Sequence, residues 1–474
     1  MLVIRGKVYG EKIIYIIWGV LFFFLFYSFS WVDILATTEH GMNLWTCLFE
    51  GNLSGFYLYN DKHGEVQSAM WQLSNLSSCY DFPIYIIFAI WNFPLWVIRE
   101  SASVNVFQSL PCLMWMKSIL FVFIIGTILA LRKIGVILGF TKKAEKLLVV
   151  FFLTSAYFVS VIIITGQYDI IAIFFMVCGI YYYLKKEKKK FLLFFAIAVS
   201  FKMFAFFLFF ALVLYDEKNI LKIMYKTILV FLPIVFTRIF IPYGEISNDI
   251  LIPAVLMSNR VSLSVVSVPI FFLLLGGVYL VCYFKVQEKN TIILAKNVIY
   301  IGFLVYAILF AGCSTYPYWI IYMLPYVALM ISLQRQEYLR INILLEMGMS
   351  VSYVVAQIFK YPACYGNMLV GNMLIPYILG KQNTEYPLRT VEDYIWIFTD
   401  VSDLLNVDLL MSIATGIFIV CLICFAVINF PTFNLEKYGL IEPVISEKDL
   451  IILRTVAGYM LCLVPIGIYL AAVY

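Results

Sequence analysis

Charged residues border several strongly apolar stretches of this chain, and their types suit acid–base and phosphate chemistry. Asp169 ends a polar break between two apolar runs, and the second of these runs leads into the basic run 185–190. Asp33 lies just past the first apolar run, and Lys202 interrupts the apolar stretch 191–214. A charge beside a bilayer is costly unless it faces water or a partner, so each is a functional-site candidate. A carboxylate can accept the proton of an attacking hydroxyl, and a cation can hold a departing phosphate.

The composition is that of a protein embedded in a membrane by many helices. Of the 474 residues, 64% are hydrophobic and only 13% are charged, whereas a soluble chain carries about 25% charged residues. The first apolar run is long for a signal peptide and lacks a small-residue cleavage site, so we expect a retained span. The net charge of +5 is assigned to loops on the cytoplasmic side and not to a nucleic-acid surface. We predict an all-α polytopic membrane protein with a single transmembrane domain over residues 1–474.

Transmembrane segments are predicted from apolar runs of about 20 residues. The 13 segments cover residues 13–30, 113–131, 147–164, 170–184, 191–201, 203–215, 226–241, 264–284, 292–311, 317–333, 341–359, 408–428 and 451–473. An ammonium at the middle of a single span 191–214 would cost about 2.5–3.5 kcal/mol. Two half-helices bent at Lys202 avoid this cost. They also leave more Lys and Arg on the inner side than a single span would, as the positive-inside rule requires.

The bent pair determines the predicted topology of the rest of the chain. It puts the N-terminus in the cytoplasm and the C-terminus outside, with two large outer loops at residues 31–112 and 361–407. The apolar segment 82–97 carries Pro83 and Pro94. We interpret it as a half-inserted or surface helix within the first outer loop.

This topology gathers the charged candidates at the outer membrane surface. Asp33 is the candidate proton acceptor, and Asp169 is a second catalytic candidate that is better suited to an orienting role. If residues 33–49 are helical, Asp33 and His40 share one face. The candidates for binding a donor phosphate are Lys202, Arg238 and Arg260, and those for binding substrate are Glu39, His40, Asp81, Gln167, Tyr316 and Tyr318.

Each candidate also has a purely structural interpretation. Asp33 and Asp169 can stabilise helix N-termini, where an acid contributes from a few tenths to about 1 kcal/mol. Arg238 and Arg260 can anchor lipid headgroups. The tyrosines of Tyr316-Pro317-Tyr318-Trp319 can belong to an interfacial aromatic belt.

The ten cysteines do not form a metal-binding pattern. Cys421 and Cys424 make a CxxC inside an apolar helix with no other ligands nearby, which is typical of small core residues. Cys47 and Cys79 fall in the same predicted outer loop and could form a disulfide, although spacing alone cannot show the geometry.

Four motifs in order resemble the GT-C superfamily of integral-membrane glycosyltransferases, in the branch of bacterial family-87-type enzymes and GPI mannosyltransferases. They are Trp31-Val32-Asp33 with Leu48-Phe49-Glu50-Gly51, then Tyr80-Asp81-Phe82-Pro83-Ile84-Tyr85, Gly166-Gln167-Tyr168-Asp169 and Ser200-Phe201-Lys202-Met203-Phe204. The third motif is similar to the family's G-Q-x-D. The second departs from the family's usual Tyr-Pro-Pro or Tyr-Thr-Pro with Asp-Phe-Pro. The resemblance covers residues 13–215, the expected catalytic module, and leaves 216–474 as a variable transmembrane module.

The resemblance implies a polyprenyl-phosphate-linked sugar donor, an outer-loop Asp as the base, and inversion at the anomeric carbon. The acceptor would be a glycan, a lipid or a protein of the cell envelope. The predicted outer loop 31–112, which follows the first span, contains no Asp-x-Asp or Glu-x-Asp pair. No motif therefore supports a divalent metal, its involvement stays open, and no metal ligand is assigned. The abundance of Ile, Lys, Phe, Tyr and Asn is typical of an AT-rich bacterial genome, which suggests a multi-pass protein of a bacterial plasma membrane.

Two other functions compete with the transferase. A polysaccharide polymerase or ligase usually has a late outer loop rich in Arg and His. The only basic residues of the loop 361–407 are Lys381 and Arg389. A transporter or lipid-linked oligosaccharide flippase predicts internal repeats, broken helices in both halves and ionisable groups at the membrane midplane. Convergence of Asp33, Asp169 and Lys202 in one outer cavity would favour the transferase, and pseudo-symmetry between halves would favour transport.

Overall fold

The computed structural model describes most of the chain. The described residues are 2–4, 7–9, 11–62, 78–102, 104–242, 253–263, 266–333, 336–365, 373–380, 406–431 and 445–473. Much of the predicted outer loop 361–407, including Lys381 and Arg389, lies outside them, as does the segment 63–77 of the loop 31–112.

The described chain is almost entirely helical, apart from two short antiparallel hairpins. The first ten helices are α1 Glu11–Phe26, α2 Val32–Phe49, α3 Phe56–Lys62, α4 Phe82–Ala102, α5 Leu110–Ile137, α6 Lys142–Leu153, α7 Ala156–Phe158, α8 Asp169–Leu184, α9 Lys188–Phe201 and α10 Phe204–Asp216. The others are α11 Ile220–Phe240, α12 Ile270–Phe284, α13 Thr291–Gly312, α14 Leu324–Ser332, α15 Gln336–Lys360, α16 Leu374–Ile378, α17 Val407–Ile428, α18 Ile445–Met460 and α19 Leu463–Val473. The hairpins pair β1 Leu2–Ile4 with β2 Lys7–Tyr9, and β3 Arg260–Leu263 with β4 Val266–Pro269. Short 3-10 turns cover Leu53–Gly55, Pro317–Tyr322 and Pro362–Tyr365, and a π-helical stretch covers Val159–Ile164.

Length and apolar surface make this a helical membrane protein. Among the described residues, seven helices are long and apolar enough to cross a bilayer, and a bent pair gives an eighth candidate. Helices α11 and α17 expose large apolar side chains along much of their length, including Leu221, Phe236, Val420 and Val427. Such continuous apolar exposure suits contact with lipid.

The chain reverses direction at Lys202, as the sequence predicts. Helix α9 ends where Lys202 adopts an extended backbone, with φ −151° and ψ 122°, and α10 begins two residues later. The Nζ of Lys188, at the start of α9, lies 3.6 Å from the Oδ2 of Asp216, at the end of α10. The rings of Phe191 and Phe209 also stack with centroids 5.5 Å apart. The two helices therefore form a hairpin, the Lys202 hairpin, with both open ends on the same side and Lys202 at its tip.

A second break divides the segment predicted as the single span 147–164. Helix α6 ends at Leu153, and the helical segment Ala156–Ile164 continues at an angle of 46°. Ser155 starts the second part, since its hydroxyl accepts a hydrogen bond from the N–H of Tyr157. The predicted span 147–164 therefore contains a bend, because the short polar pair Thr154-Ser155 offers a local cap that competes with the helix.

Two further elements differ from the prediction. The predicted span 264–284 begins with the strand β4, and its helix starts only at Ile270. The apolar segment 82–97, interpreted from the sequence as a half-inserted or surface helix, is part of the continuous 21-residue helix α4, which is one of the seven helices long and apolar enough to cross a bilayer. Helix α4 packs along α2, where the Nε1 of Trp45 donates to the carbonyl of Ala89 at 2.8 Å.

Candidate functional site

Asp33 and Gln167 meet although 134 positions separate them. The Nε2 of Gln167 donates a hydrogen bond of 2.7 Å to the Oδ2 of Asp33. Asp33 lies in the first turn of α2 and is partly exposed, whereas Gln167 is buried. A chain reversal at Gly166, with φ +59°, aims Gln167 toward α2. The bond fixes the orientation of a carboxylate that still reaches the surface.

Asp169 and Lys202 form a buried ion pair next to this bond. The Nζ of Lys202 lies 3.6 Å from the Oδ1 of Asp169, and their side chains are 7% and 0% exposed. The hydroxyl of Tyr322 makes a long contact of 3.5 Å with the same Oδ1. The Oδ2 of Asp169 is buried without a hydrogen-bond partner among the described residues. Asp169 can therefore accept one more hydrogen bond.

Aromatic rings enclose the remaining sides of the Lys202 ammonium. Its Nζ lies 4.1 Å from the ring centroid of Tyr80 and 5.5 Å from that of Tyr168. Two hydrogen bonds fix the backbone of Tyr80. The hydroxyl of Tyr57 donates to the carbonyl of Tyr80 at 2.8 Å, and the N–H of Tyr80 donates to the hydroxyl of Tyr85 at 3.1 Å. An aromatic face attracts a cation and excludes water, so the ammonium is fixed at the tip of the hairpin.

Opposing influences act on the Asp33 carboxyl. Burial raises its pKa above the ordinary value of 3.8, while the hydrogen bond from Gln167, the charge of Lys202 and the nearby Tyr318 hydroxyl lower it. Lys202 thus acts electrostatically on both carboxylates. We refer to Asp33, Tyr80, Gln167, Asp169, Lys202 and Tyr318 as the Asp33–Lys202 cluster.

Glu39 and His40 lie deeper on the same helix as Asp33. Both are buried, at 3% and 6% exposure. The His40 ring packs edge-on against Tyr85, with centroids 5.6 Å apart. His40 therefore contacts the aromatic shell that supports Tyr80.

Arg238 and Asp81 pair with one another at the border of the cluster. The Nε of Arg238 donates to the Oδ1 of Asp81 at 3.0 Å, and Asp81 directly follows Tyr80 in the chain. Both remain partly exposed, so this pair can still meet a ligand. Arg260, by contrast, is an exposed residue of β3, and no contact among the described residues links it to the cluster.

Tyr316 and Tyr318 form an aromatic surface beside Asp33. Their rings stack with centroids 5.7 Å apart, and Tyr361 lies 5.5 Å from Tyr316. Both tyrosines are partly exposed. They therefore line the accessible side of the site.

Lys117 is a residue of this region that sequence reasoning missed. Its Nζ donates to the carbonyls of Phe26 and Phe29, both at 2.6 Å, and to that of Ile163 at 2.8 Å. The first two carbonyls precede Asp33, and the third precedes Gln167. Lys117 is 1% exposed and ties together the two backbone segments that carry the cluster. A lone cation inside a predicted span was the signal that could have identified it.

Three further tyrosines that the sequence did not mark as site residues lie at or beside the cluster. Tyr80 and Tyr168 stand within the quoted motifs, and Tyr322 lies four residues after Tyr318. The rings of Tyr80 and Tyr168 face Lys202, and the hydroxyl of Tyr322 contacts Asp169. Sequence spacing does not give these positions.

Neither metal binding nor a disulfide is supported by the described residues. No group of three or more His, Cys, Asp or Glu side chains within the described ranges could hold a metal ion. All ten cysteines are free thiols, including Cys47 and Cys79. The disulfide considered from the sequence is therefore absent from the structure.

Comparison of the chain with protein-family models, curated proteins and solved structures yields no match.

Proposed function

We propose that the chain is a membrane glycosyltransferase that moves a sugar from a polyprenyl-phosphate-linked donor to a glycan, lipid or protein of the cell envelope. The observation that carries the proposal is the convergence of Asp33, Gln167, Asp169 and Lys202 at the tip of the Lys202 hairpin. This chemistry requires both a carboxylate and a cation, because the acceptor hydroxyl must lose a proton while the polyprenyl phosphate departs.

In this proposal Asp33 is the general base. It is the partly exposed carboxylate of the cluster, and Gln167 holds one of its oxygens at 2.7 Å. The attacking acceptor hydroxyl would donate its proton to Asp33, with inversion at the anomeric carbon. A positioned base of this kind contributes about 10²–10⁴-fold to a rate.

Lys202 would stabilise the negative charge of the leaving polyprenyl phosphate. Asp169, whose Oδ2 has no hydrogen-bond partner among the described residues, would orient the ammonium and accept one hydrogen bond from the sugar. Arg238, at the border of the cluster, is a second candidate for the phosphate. The stacked Tyr316 and Tyr318 would offer a surface for a sugar ring.

The proposed topology follows the charge distribution. Thirteen segments would cross or enter the plasma membrane, with the N-terminus in the cytoplasm and the C-terminus outside. The exposed run 185–190 and the open end of the Lys202 hairpin would lie at the cytoplasmic surface. Helix α9 has 14 residues, or about 21 Å, which would carry Lys202 toward the outer side of a hydrocarbon core about 30 Å thick.

The test is a donor assay with the purified protein in nanodiscs. A panel of polyprenyl-phosphate sugars is supplied with candidate acceptors, and release of free polyprenyl phosphate is measured against empty nanodiscs. Release from at least one donor, with the sugar recovered on the acceptor, is expected. Absence of sugar transfer across the panel, with the protein folded, would oppose the proposal.

A transporter is the second candidate, because the structure adds a polar feature inside the helix bundle. Glu346 and Arg454 form an ion pair with side chains 0% and 2% exposed. Ser155, at the break between α6 and α7, donates to Glu346 at 2.6 Å, and Thr154 accepts from Arg454. Broken helices beside buried charges are typical of transporters. Movement of a labelled lipid-linked sugar across liposomes, without its cleavage, would favour this function.

A further inference from the structure

A groove lies far from the Asp33–Lys202 cluster, between α1, α5, α6 and α18. It encloses about 720 Å³. Its walls are almost wholly apolar and include Trp18, Ile128, Val149, Leu153, Ile452 and Val456. Because these helices belong to the membrane-embedded bundle, the groove faces the hydrocarbon region of the bilayer.

The groove has one basic end. Arg132 near the end of α5, and Lys142 and Lys146 in the first turns of α6, stand at its rim together with Glu145. Arg132, Lys142 and Lys146 are exposed, so their charges are accessible to a ligand. Three cations and one carboxylate give the rim a net charge of +2.

The carboxylate at the rim is already paired. The Nε and Nη2 of Arg132 donate to the Oε2 of Glu145 at 2.9 and 2.7 Å. This pair cancels one positive charge, and the charges of Lys142 and Lys146 remain for an anion. Lys142 and Lys146 are four residues apart and therefore lie on one face of the helix.

The lining away from the basic rim is mainly apolar. Helix α6 has 12 residues, so the wall from Lys142 to Leu153 is about 18 Å long. At the Leu153 end of this wall, Thr154 accepts a hydrogen bond from Arg454, which leaves its hydroxyl oxygen satisfied. An extended hydrocarbon chain suits such a groove, whereas a polar ligand would lose its hydration without replacement.

We propose that this groove is a specific site for an anionic phospholipid. One acyl chain would lie along the apolar wall, and the headgroup phosphate would bind Lys142 and Lys146. Charge complementarity selects the anionic headgroup, and the long apolar wall selects a lipid over a free phosphate. The site is independent of the reaction proposed above and does not require either membrane orientation.

The test is binding of phosphatidylglycerol and phosphatidylcholine, with identical acyl chains, to the delipidated full chain, followed by native mass spectrometry. Glycerol phosphate serves as the headgroup without its chains. The variant Lys142→Gln/Lys146→Gln removes the basic rim. The matched control, Lys185→Gln/Lys189→Gln, neutralises two exposed lysines outside the groove.

Phosphatidylglycerol is expected to bind with a stoichiometry of one and more tightly than phosphatidylcholine, while glycerol phosphate does not bind. Each lysine near a phosphate contributes roughly fivefold, so the rim variant should lose roughly 25-fold in affinity for phosphatidylglycerol. The control variant should retain the native affinity. Equal binding of the two lipids, an unchanged affinity in the rim variant or an equal loss in the control would overturn the proposal.

Discussion

Substitutions of Asp169 and Lys202 should have strongly coupled effects on the free energy of unfolding, and the two single substitutions should not cost the same. At the observed 3.6 Å, two unit charges attract by roughly 4.5 kcal/mol at an effective dielectric constant of about 20. Removing one partner of a buried pair leaves an uncompensated charge and costs about 3–5 kcal/mol. Replacing both should cost much less than the sum, with a coupling energy of about 3 kcal/mol.

The groups around the ion pair predict which single substitution lowers the free energy of unfolding more. Lys202→Met leaves Asp169 and Asp33 near one another without their shared cation, so it should cost about 4–5 kcal/mol. Asp169→Asn leaves Lys202 beside the rings of Tyr80 and Tyr168 and still near Asp33. It should therefore cost less, about 3 kcal/mol.

The free energy of unfolding can be measured in mixed micelles titrated with SDS, with tryptophan fluorescence as the signal. Glu145→Gln is the control, since its partner Arg132 is closer, at 2.7 Å, but the arginine is 48% exposed. That change should cost at most about 1 kcal/mol. Additive single effects would show that the two charges do not interact, and a larger cost for Asp169→Asn than for Lys202→Met would contradict the influence of Asp33 and the two rings.

Three further predictions follow from individual residues. The transfer rate should fall as the pH drops through the raised pKa of Asp33, because a general base must be ionised. A pH–rate profile that stays flat down to the ordinary aspartate pKa of 3.8 would contradict this. Gly166→Ala should destabilise the protein more than Gly139→Ala. Both glycines have positive φ, which costs about 1–2 kcal/mol for alanine, but only at Gly166 would the added Cβ meet Lys117, at 3.1 Å from its Cε. Equal costs of the two changes in SDS unfolding would exclude the contact. Glu346→Leu should cost about 3–5 kcal/mol in the same assay by leaving the buried Arg454 charged, and full additivity with Arg454→Leu would show that the two residues do not interact.

The Lys202 hairpin could be predicted because its cause is local and energetic. An ammonium in the middle of a span is expensive, and the basic run before α9 fixes the side on which the chain must return. The contact between Lys188 and Asp216 agrees with that reasoning. The break at Thr154-Ser155 was missed because its partners, Glu346 and Arg454, are almost 200 and 300 residues away. Such partners cannot be identified from local pattern.

The candidate site was predictable as a set of residues at one surface, but not as a set of contacts. Asp33, Gln167, Asp169 and Lys202 each stood at a predicted helix end on the outer side, and helix ends on one side of a membrane meet at the same surface. Which side chain bonds to which depends on tertiary packing. That packing paired Arg238 with Asp81, left Arg260 on an exposed hairpin and enclosed Lys202 in tyrosines. Lys117 illustrates the same limit, since its three carbonyl partners have no side-chain signature.

The most direct test of the central claim is the single-turnover rate of sugar transfer from pre-bound donor in Asp33→Asn. The control is Glu50→Gln, which neutralises an exposed carboxylate at the other end of the same helix. Asp33→Asn should lower the rate by about 10²–10⁴-fold while donor binding and folding stay intact, and Glu50→Gln should keep the native rate. An unchanged rate in Asp33→Asn would contradict the assignment of the base and with it the proposed mechanism.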